Sequence, residues 1–310
     1  MDWRFFIPIL ILTVFDWVLT GYRISIFTSR ISSKVKFWDC FKAGIAGTFI
    51  ATITPSQMGG WMGQLYILYR AGLPWSGGTV IIVITFLSTL ISLFFSVLFV
   101  IVFYPQLFNE KIVIIMQYSF IVFCIALVGF ILLLVKPDLI QKILYKLSIS
   151  RFVNQNHRIH KFFQNMMIKL ENLTSEYKKF TKLFIKQKTL IIFFSVLVTF
   201  IMYFNRALIA YFIIRSLKDQ AKFWNVVFVQ ILLIFIGYFS PTPGASGVSE
   251  LSSALLMSPI MTQGNVFLFT TIWRFTNSYL ELFVGGIIMV IQLRRDILQN
   301  PEPQIGRFKD

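Results

Sequence analysis

The sequence predicts an all-α fold: a polytopic bundle of transmembrane helices with two inverted re-entrant (broken) hairpins. Three observations carry that reading. The first is composition, with 56% of the 310 residues hydrophobic, 14% charged and a mean hydropathy of +0.74. Such a balance lies outside the soluble globular range and fits a chain that stays in a bilayer. The second is the length of the apolar runs, far beyond the alternating ten-residue strands of an outer-membrane barrel. The third is a pair of breaks within such runs. Thr54-Pro55-Ser56-Gln57-Met58-Gly59 and Thr242-Pro243-Gly244-Ala245-Ser246-Gly247 both read Thr-Pro-x-x-x-Gly. Proline lacks an amide donor and glycine tolerates φ > 0, so each break should end a helix. In a membrane, broken backbone is tolerated only inside protein or along a wet cavity.

The elements follow in order. Residues 5–27 form the first span, with Pro8, Asp16 and Arg23 inside it. Asp16 interrupts the apolar core and no small-x-small site follows, so the segment is a span and not a cleaved signal. The next loop carries Arg30, Lys34, Lys36 and Lys42 against Asp39, which places it in the cytoplasm. Residues 37–54 are rich in Ala and Gly, a composition that lets helices approach closely. They break at Pro55 and resume over 61–69, each piece short for a crossing of roughly 20 residues. Spans at 79–104 and 112–135 come next, closed by Pro105 and Lys136-Pro137.

Residues 136–188 hold twelve Lys/Arg against three acids, a net of +9. Apolar residues recur there at Ile159, Phe163, Met166, Leu170, Leu173, Tyr177, Phe180 and Phe184. Alternating spacings of four and three predict an amphipathic helix on the cytoplasmic leaflet or beneath the bundle. Beyond it lie a span at 190–215 with Asn205-Arg206 inside, an apolar piece at 223–239, the second break, and a short piece at 248–257 stopped by Ser258-Pro259. A last span at 266–293 ends at Arg294-Arg295. The chain thus reads as one transmembrane domain over 1–310. Its parts are a first half (1–135), a cytoplasmic basic linker (136–188), a second half (189–295) and a cytoplasmic tail (296–310).

Counting crossings gives the topology. The basic loop at 28–42 and the linker both belong inside, and two clear crossings separate them. Segment 37–72 must then enter and leave from the cytoplasm, and by the same count segment 223–258 enters from outside. Paired broken segments in two inverted halves point to a transport site where they meet.

Ionisable groups at bilayer depth are expensive and usually face a partner or a cavity. Arg274 has Asn277, Ser278 and Glu281 at i+3, i+4 and i+7, on one helix face. Arg206 stands beside Asn205, and Glu250 falls in the first turn of the half-helix after the second break, where the dipole favours a carboxylate. Arg206 and Arg274 are the candidates for a lipid phosphate, with Gln57, Gln64 and Gln230 as neutral hydrogen-bonding groups. The structural alternative pairs Asp16 with Arg23 and Arg274 with Glu281 along single helices, and makes Glu250 a cap. Asp16 and Arg23 are read as structural.

Other chemistries are poorly served. His157 and His160 have no carboxylate or thiol nearby, so no metal site is expected. No P-loop, nucleotide fingerprint or nucleophile system occurs, so no cofactor and no catalytic residue is assigned. The net charge of +16 belongs to loops beside apolar spans, which suits anionic headgroups and not nucleic acid. Cys40 and Cys124 lie in settings that do not suit a structural disulfide.

At the two breaks the chain resembles a known family. Thr54 to Gly60 followed by Leu65-Tyr66-Ile67-Leu68 is similar to its first signature. Ser240-Pro241-Thr242-Pro243-Gly244-Ala245-Ser246-Gly247-Val248-Ser249-Glu250, with Trp273-Arg274-Phe275 downstream, is similar to its second. The family is the flippase-like membrane domain of the lysylphosphatidylglycerol synthases, which also occurs as a stand-alone membrane protein. The likeness implies movement of lipids with charged or glycosylated headgroups between leaflets. It does not imply synthase activity, because the soluble aminoacyl-transferase domain has no counterpart in these residues. Gln57, Trp61 and Gln64 stand where the family often has charged residues, so the first break has lost its charges. The family also usually opens with one further span.

The expectation is therefore a flippase or scramblase-like carrier in the cytoplasmic membrane, with membrane lipids as its partners. Its site would be built around the breaks at Pro55, Gly59, Gly60, Pro241, Pro243, Gly244 and Gly247. The alternative is a membrane scaffold for a lipid- or glycan-modifying enzyme, with a protein partner docking on 136–188.

Overall fold

The computed structural model describes residues 2–57, 59–104, 110–135 and 189–299. Among these residues the chain is helical and has no strand. The amphipathic helix expected within 136–188, its two histidines and the end of the tail lie outside the described residues.

The helices are α1 (Phe6–Thr28), α2 (Phe37–Ile53), α3 (Gly60–Arg70), α4 (Trp75–Phe103), α5 (Glu110–Val135), α6 (Thr189–Ser216), α7 (Phe223–Phe239), α8 (Val248–Met257), α9 (Gln263–Arg274) and α10 (Leu280–Gln299). Four stretches are long and apolar enough to cross a membrane: Trp3–Thr28, Trp75–Phe103, Leu190–Ser216 and Gln263–Leu298. Both expected breaks fall where proline and glycine put them, between α2 and α3 and between α7 and α8.

Two boundaries differ from the sequence reading. Helix α4 starts at Trp75, ahead of the expected 79, because Pro74 supplies an extended residue immediately before the first turn. The last span is not one regular helix. A π turn, Phe275–Tyr279, joins α9 to α10, and α10 runs on through Arg294 and Arg295 to Gln299. Inside that turn Thr276 Oγ1 donates to Ile272 O (3.1 Å) and Asn277 Nδ2 to Trp273 O (3.0 Å). Side chains thus serve carbonyls that a wider turn leaves short of donors.

Contacts divide the chain into two compact units. The described parts of one come from Met1–Ser25, Ser32–Gly72 and Met202–Asp310, and those of the other from Ile26–Ile31 and Leu73–Ile201. In the second unit α4 meets α5 through stacked Phe94 and Phe120 and edge-on Phe86 and Phe130, with both centroid pairs 5.4 Å apart. Hydroxyls in apolar α4 return to their own helix, as Ser88 Oγ does to Ile84 O and Ser92 Oγ to Ser88 O.

The first unit contains both broken hairpins. Helices α2 and α3 run antiparallel at very short range, since a Cβ placed on Gly63 would lie 2.7 Å from Ala46 O. Helix α10 lies as close to α2, with a Cβ on Gly285 reaching 2.6 Å from Phe49 Cβ. Small residues here let backbone meet backbone, which is how membrane helices gain packing without a hydrophobic drive between them. Two polar latches hold the ends of the long α9–α10 helix. At its start, Asp219 accepts from Thr262 N (2.9 Å) and Asn265 Nδ2 (3.0 Å). Near its finish, Asp296 accepts from Tyr66 Oη and pairs with Arg70 Nη2 at 2.6 Å.

Candidate functional site: a polar cavity between two helix breaks

Each break is closed by the hydroxyl of its own threonine. Thr54 Oγ1 donates to Ile50 O (2.8 Å) and accepts from Gly59 N (2.9 Å). Thr242 Oγ1 donates to Ser246 O (2.8 Å). Pro55–Gln57 and Pro243–Ala245 each form one 3-10 turn. Left-handed backbone appears at Gln57 (φ 55°) and at Gly244 and Ala245 (φ 57° and 56°). For Gln57 and Ala245 that conformation is strained, a feature that concentrates at ligand sites.

The two breaks touch. A Cβ on Gly244 would lie 2.9 Å from Thr52 Cγ2 and 3.1 Å from Thr52 O, and Gln57 Nε2 donates to Gly237 O at 3.4 Å. Only a residue without a side chain fits there, at a φ that itself favours glycine.

Arg274 holds the second break in shape. Its side chain is 5% exposed, and its fork spends its donors on Glu250 Oε1 (2.8 Å), Gly244 O (3.2 Å), Ser246 Oγ (3.3 Å) and Ser278 Oγ (3.2 Å). The Tyr279 ring lies 5.5 Å from its guanidinium carbon. Glu250 also accepts from Gly247 N at 2.6 Å, so one carboxylate caps α8 and neutralises Arg274. The second ion pair joins α6 to α1, with Arg206 Nη2 at 3.0 Å and Nε at 3.2 Å from Asp16 Oδ2. The pairs expected along single helices, Asp16–Arg23 and Arg274–Glu281, thus give way to pairs between elements far apart in sequence. Fixed helix geometry allows only one face-sharing partner per turn, whereas packing offers a carboxylate at better range.

Between these pairs lies a cavity of about 350 Å³. Of the residues singled out from sequence, Gln57, Gly60, Gln64, Arg206, Gly244, Arg274, Asn277 and Glu281 line it. Glu281 is buried, and among the described residues it forms no ion pair. Others stand back from the wall. Asn205 is buried and donates to Leu12 O (2.9 Å) and Asp16 Oδ1 (3.4 Å), which orients Asp16 from behind. Glu250, Pro55, Gly59, Pro241, Pro243 and Gly247 shape the breaks without lining the cavity.

The wall also includes a stripe of α1 that sequence reasoning read as structural. Thr13, Asp16, Thr20 and Arg23 all line the cavity. Their spacing of three, four and three was visible as one polar helix face. Gln230 lies deep in the wall, 1% exposed, where Trp273 Nε1 donates to its Oε1 at 3.1 Å. An indole N–H can only donate, so it fixes which end of the amide it meets and leaves Gln230 Nε2 with no protein acceptor. Among the described residues no cluster of His, Cys, Asp or Glu could hold a metal ion.

A cavity built from two Thr-Pro breaks and the arginine of the last span can be compared with known proteins. The family described as lysylphosphatidylglycerol synthase TM region matches residues 1–285. The chain belongs to this family. A UPF0104 membrane protein of Archaeoglobus fulgidus is similar to this member of the lysylphosphatidylglycerol synthase TM region family, 24% identical over 297 residues, with 92% of this chain and 86% of that protein covered. No solved structure matches the chain. Family membership and the four long apolar stretches together make it a multi-pass membrane protein.

Proposed function

We propose that this protein moves lipids with charged or glycosylated headgroups between the leaflets of the cytoplasmic membrane, as a flippase or scramblase-like carrier without an energy source of its own. The observation that carries the reading is a polar cavity, lined by Asp16, Arg206, Arg274 and Glu281, inside an otherwise apolar chain. Charges at that depth are costly, and a headgroup site accounts for the cost.

Hairpins of opposite entry support the same reading. Helices α3 and α8, of 11 and 10 residues, rise only about 17 and 15 Å. A hydrocarbon core of about 30 Å is twice that. Each hairpin therefore dips in and returns, and the breaks meet where a headgroup would pause between leaflets. Cysteines introduced at Ser258 and Pro74 test the arrangement. The first should react with an impermeant reagent from outside and the second only from inside, and the reverse pattern would sink it.

The cavity favours exchange over simple addition. Both arginines already hold carboxylates, so a lipid phosphate must compete with Asp16 or Glu250. Gln230 Nε2 offers a donor that no protein group uses, suited to a phosphate, carbonyl or sugar oxygen. Proteoliposomes carrying fluorescent anionic and glycosylated lipids provide the direct test. Transbilayer movement no faster than in empty liposomes, across those headgroups, would end the transport reading for them.

A further inference from the structure

A second concavity, of about 420 Å³, lies between α8 and α9. Ala254, Val266, Phe267, Thr270 and Thr271 form its walls. The threonine hydroxyls there are already engaged, Thr270 with Ser253 at 2.9 Å and Thr271 with Phe267 O at 3.0 Å. What the groove presents is therefore largely hydrocarbon. Around it the helices turn apolar side chains outward, with Phe267 77%, Leu251 63% and Leu255 60% exposed.

Arg274 lines both concavities, while Glu250 lines only the groove. The Arg274–Glu250 pair is thus the partition between a polar cavity and an apolar groove. From one side to the other the order is polar wall, guanidinium, hydrocarbon wall. A phospholipid has the same order of headgroup, phosphate and acyl chain.

We propose that the α8–α9 groove takes one acyl chain of a phospholipid whose phosphate sits at Arg274 and whose headgroup occupies the polar cavity. This rests on the headgroup reading of that cavity. Glu250 is then the internal stand-in for the phosphate. When lipid binds, Arg274 Nε passes from Glu250 Oε1 to a phosphate oxygen, and Glu250 keeps its bond from Gly247 N. The site discriminates by length as well as charge, because a free phosphate fills one part and leaves the groove empty.

The test uses the full chain purified in detergent, with trace phosphatidylglycerol bearing a diazirine on one acyl chain, and with glycerol phosphate as a tail-less ligand. Crosslinks mapped by mass spectrometry are expected on α8 and α9. Ala254→Phe fills the groove, and losing the burial of even two methylenes should lower crosslinking there about tenfold. Glycerol phosphate binding, read by thermal shift, should stay at the wild-type level. If Ala254→Phe fails to fold, Thr271→Phe on the exposed side of the groove gives the same reading. Crosslinks on α8 and α9 that neither variant reduces, or crosslinks that map elsewhere, overturn the groove and leave the cavity reading standing. Glycerol phosphate and photolipid both failing to bind the wild type overturn the cavity reading and this one together.

Discussion

Arg206 on α6 reaches Asp16 on α1 with two nitrogens on one carboxylate oxygen, at 3.0 and 3.2 Å, across 190 residues of sequence. The pair fastens the first helix to the half of the protein that carries the second break. Asp16→Ala should cost about 2 kcal/mol, less than a fully buried pair loses, because the Arg206 side chain is 34% exposed and water can take over. Replacing both partners by leucine should cost less than either single change. Thermal melting of the purified variants checks this, and additive losses would mean that the pair contributes nothing as a pair.

Arg274→Lys keeps a positive charge and removes the fork. A lysine cannot serve Glu250, Gly244 O, Ser246 and Ser278 together. The expected loss is about 2–4 kcal/mol, read in the same melts, since buried acceptors around the break are left without donors. A variant that melts with the wild type would show that the break holds its shape without the arginine.

These two pairs also mark how far the sequence could be read. Pro55, Pro243 and Gly244 announced the breaks because proline and glycine act on backbone locally. The composition announced the membrane for an equally local reason. Partners were not legible, because Asp16 meets Arg206 and Arg70 meets Asp296 only after distant helices pack. Glu250 and Arg274 were both singled out, yet nothing in their spacing said that they bind each other. The stripe Thr13-Asp16-Thr20-Arg23 was legible as a polar face, and two charges seven apart on one helix made an internal pair look sufficient. The π turn at Phe275–Tyr279 has no proline or glycine to betray it.

Close approach of α3 to α2 makes Gly63 sensitive. Gly63→Ala would bring a Cβ to 2.7 Å from Ala46 O and 2.8 Å from Ile50 Cγ1, and should destabilise by about 1–3 kcal/mol. Gly129→Ala is the control, since nothing lies within 4 Å of its Cβ. That change should be neutral or stabilising by up to about 1 kcal/mol. Equal losses in both variants would refute the close-packing account.

Asp219 gives a pH prediction outside the spans. Burial by itself raises its pKa, but hydrogen bonds from Asn265, Thr262 and Gln220 outweigh that and hold the carboxyl below its usual range. A carboxylate whose folded pKa is depressed contributes stability that is fully present above its unfolded pKa of about 3.9 and is lost as pH falls through the folded value. Melting temperature should therefore drop on the acid side, and Asp219→Asn should flatten that limb while leaving a lower plateau near neutrality. An unchanged acid limb in the variant would remove Asp219 from the account.

The π turn has a consequence for how the protein tolerates insertion and deletion. Its wider coil sets the rotational phase between two jobs done by one helix: Arg274 faces the second break, and Asp296, further along, faces Tyr66 and Arg70. Each residue of an α-helix turns about 100°. Deleting one residue between Phe275 and Tyr279 would rotate the distal stretch by about that angle, carrying Glu281 off the cavity wall and Asp296 off its latch at once. A single-residue deletion there should thus do more damage than most substitutions in the same turn. The helix behaves as a keyed shaft, on which the cavity and the latch can be aligned only together.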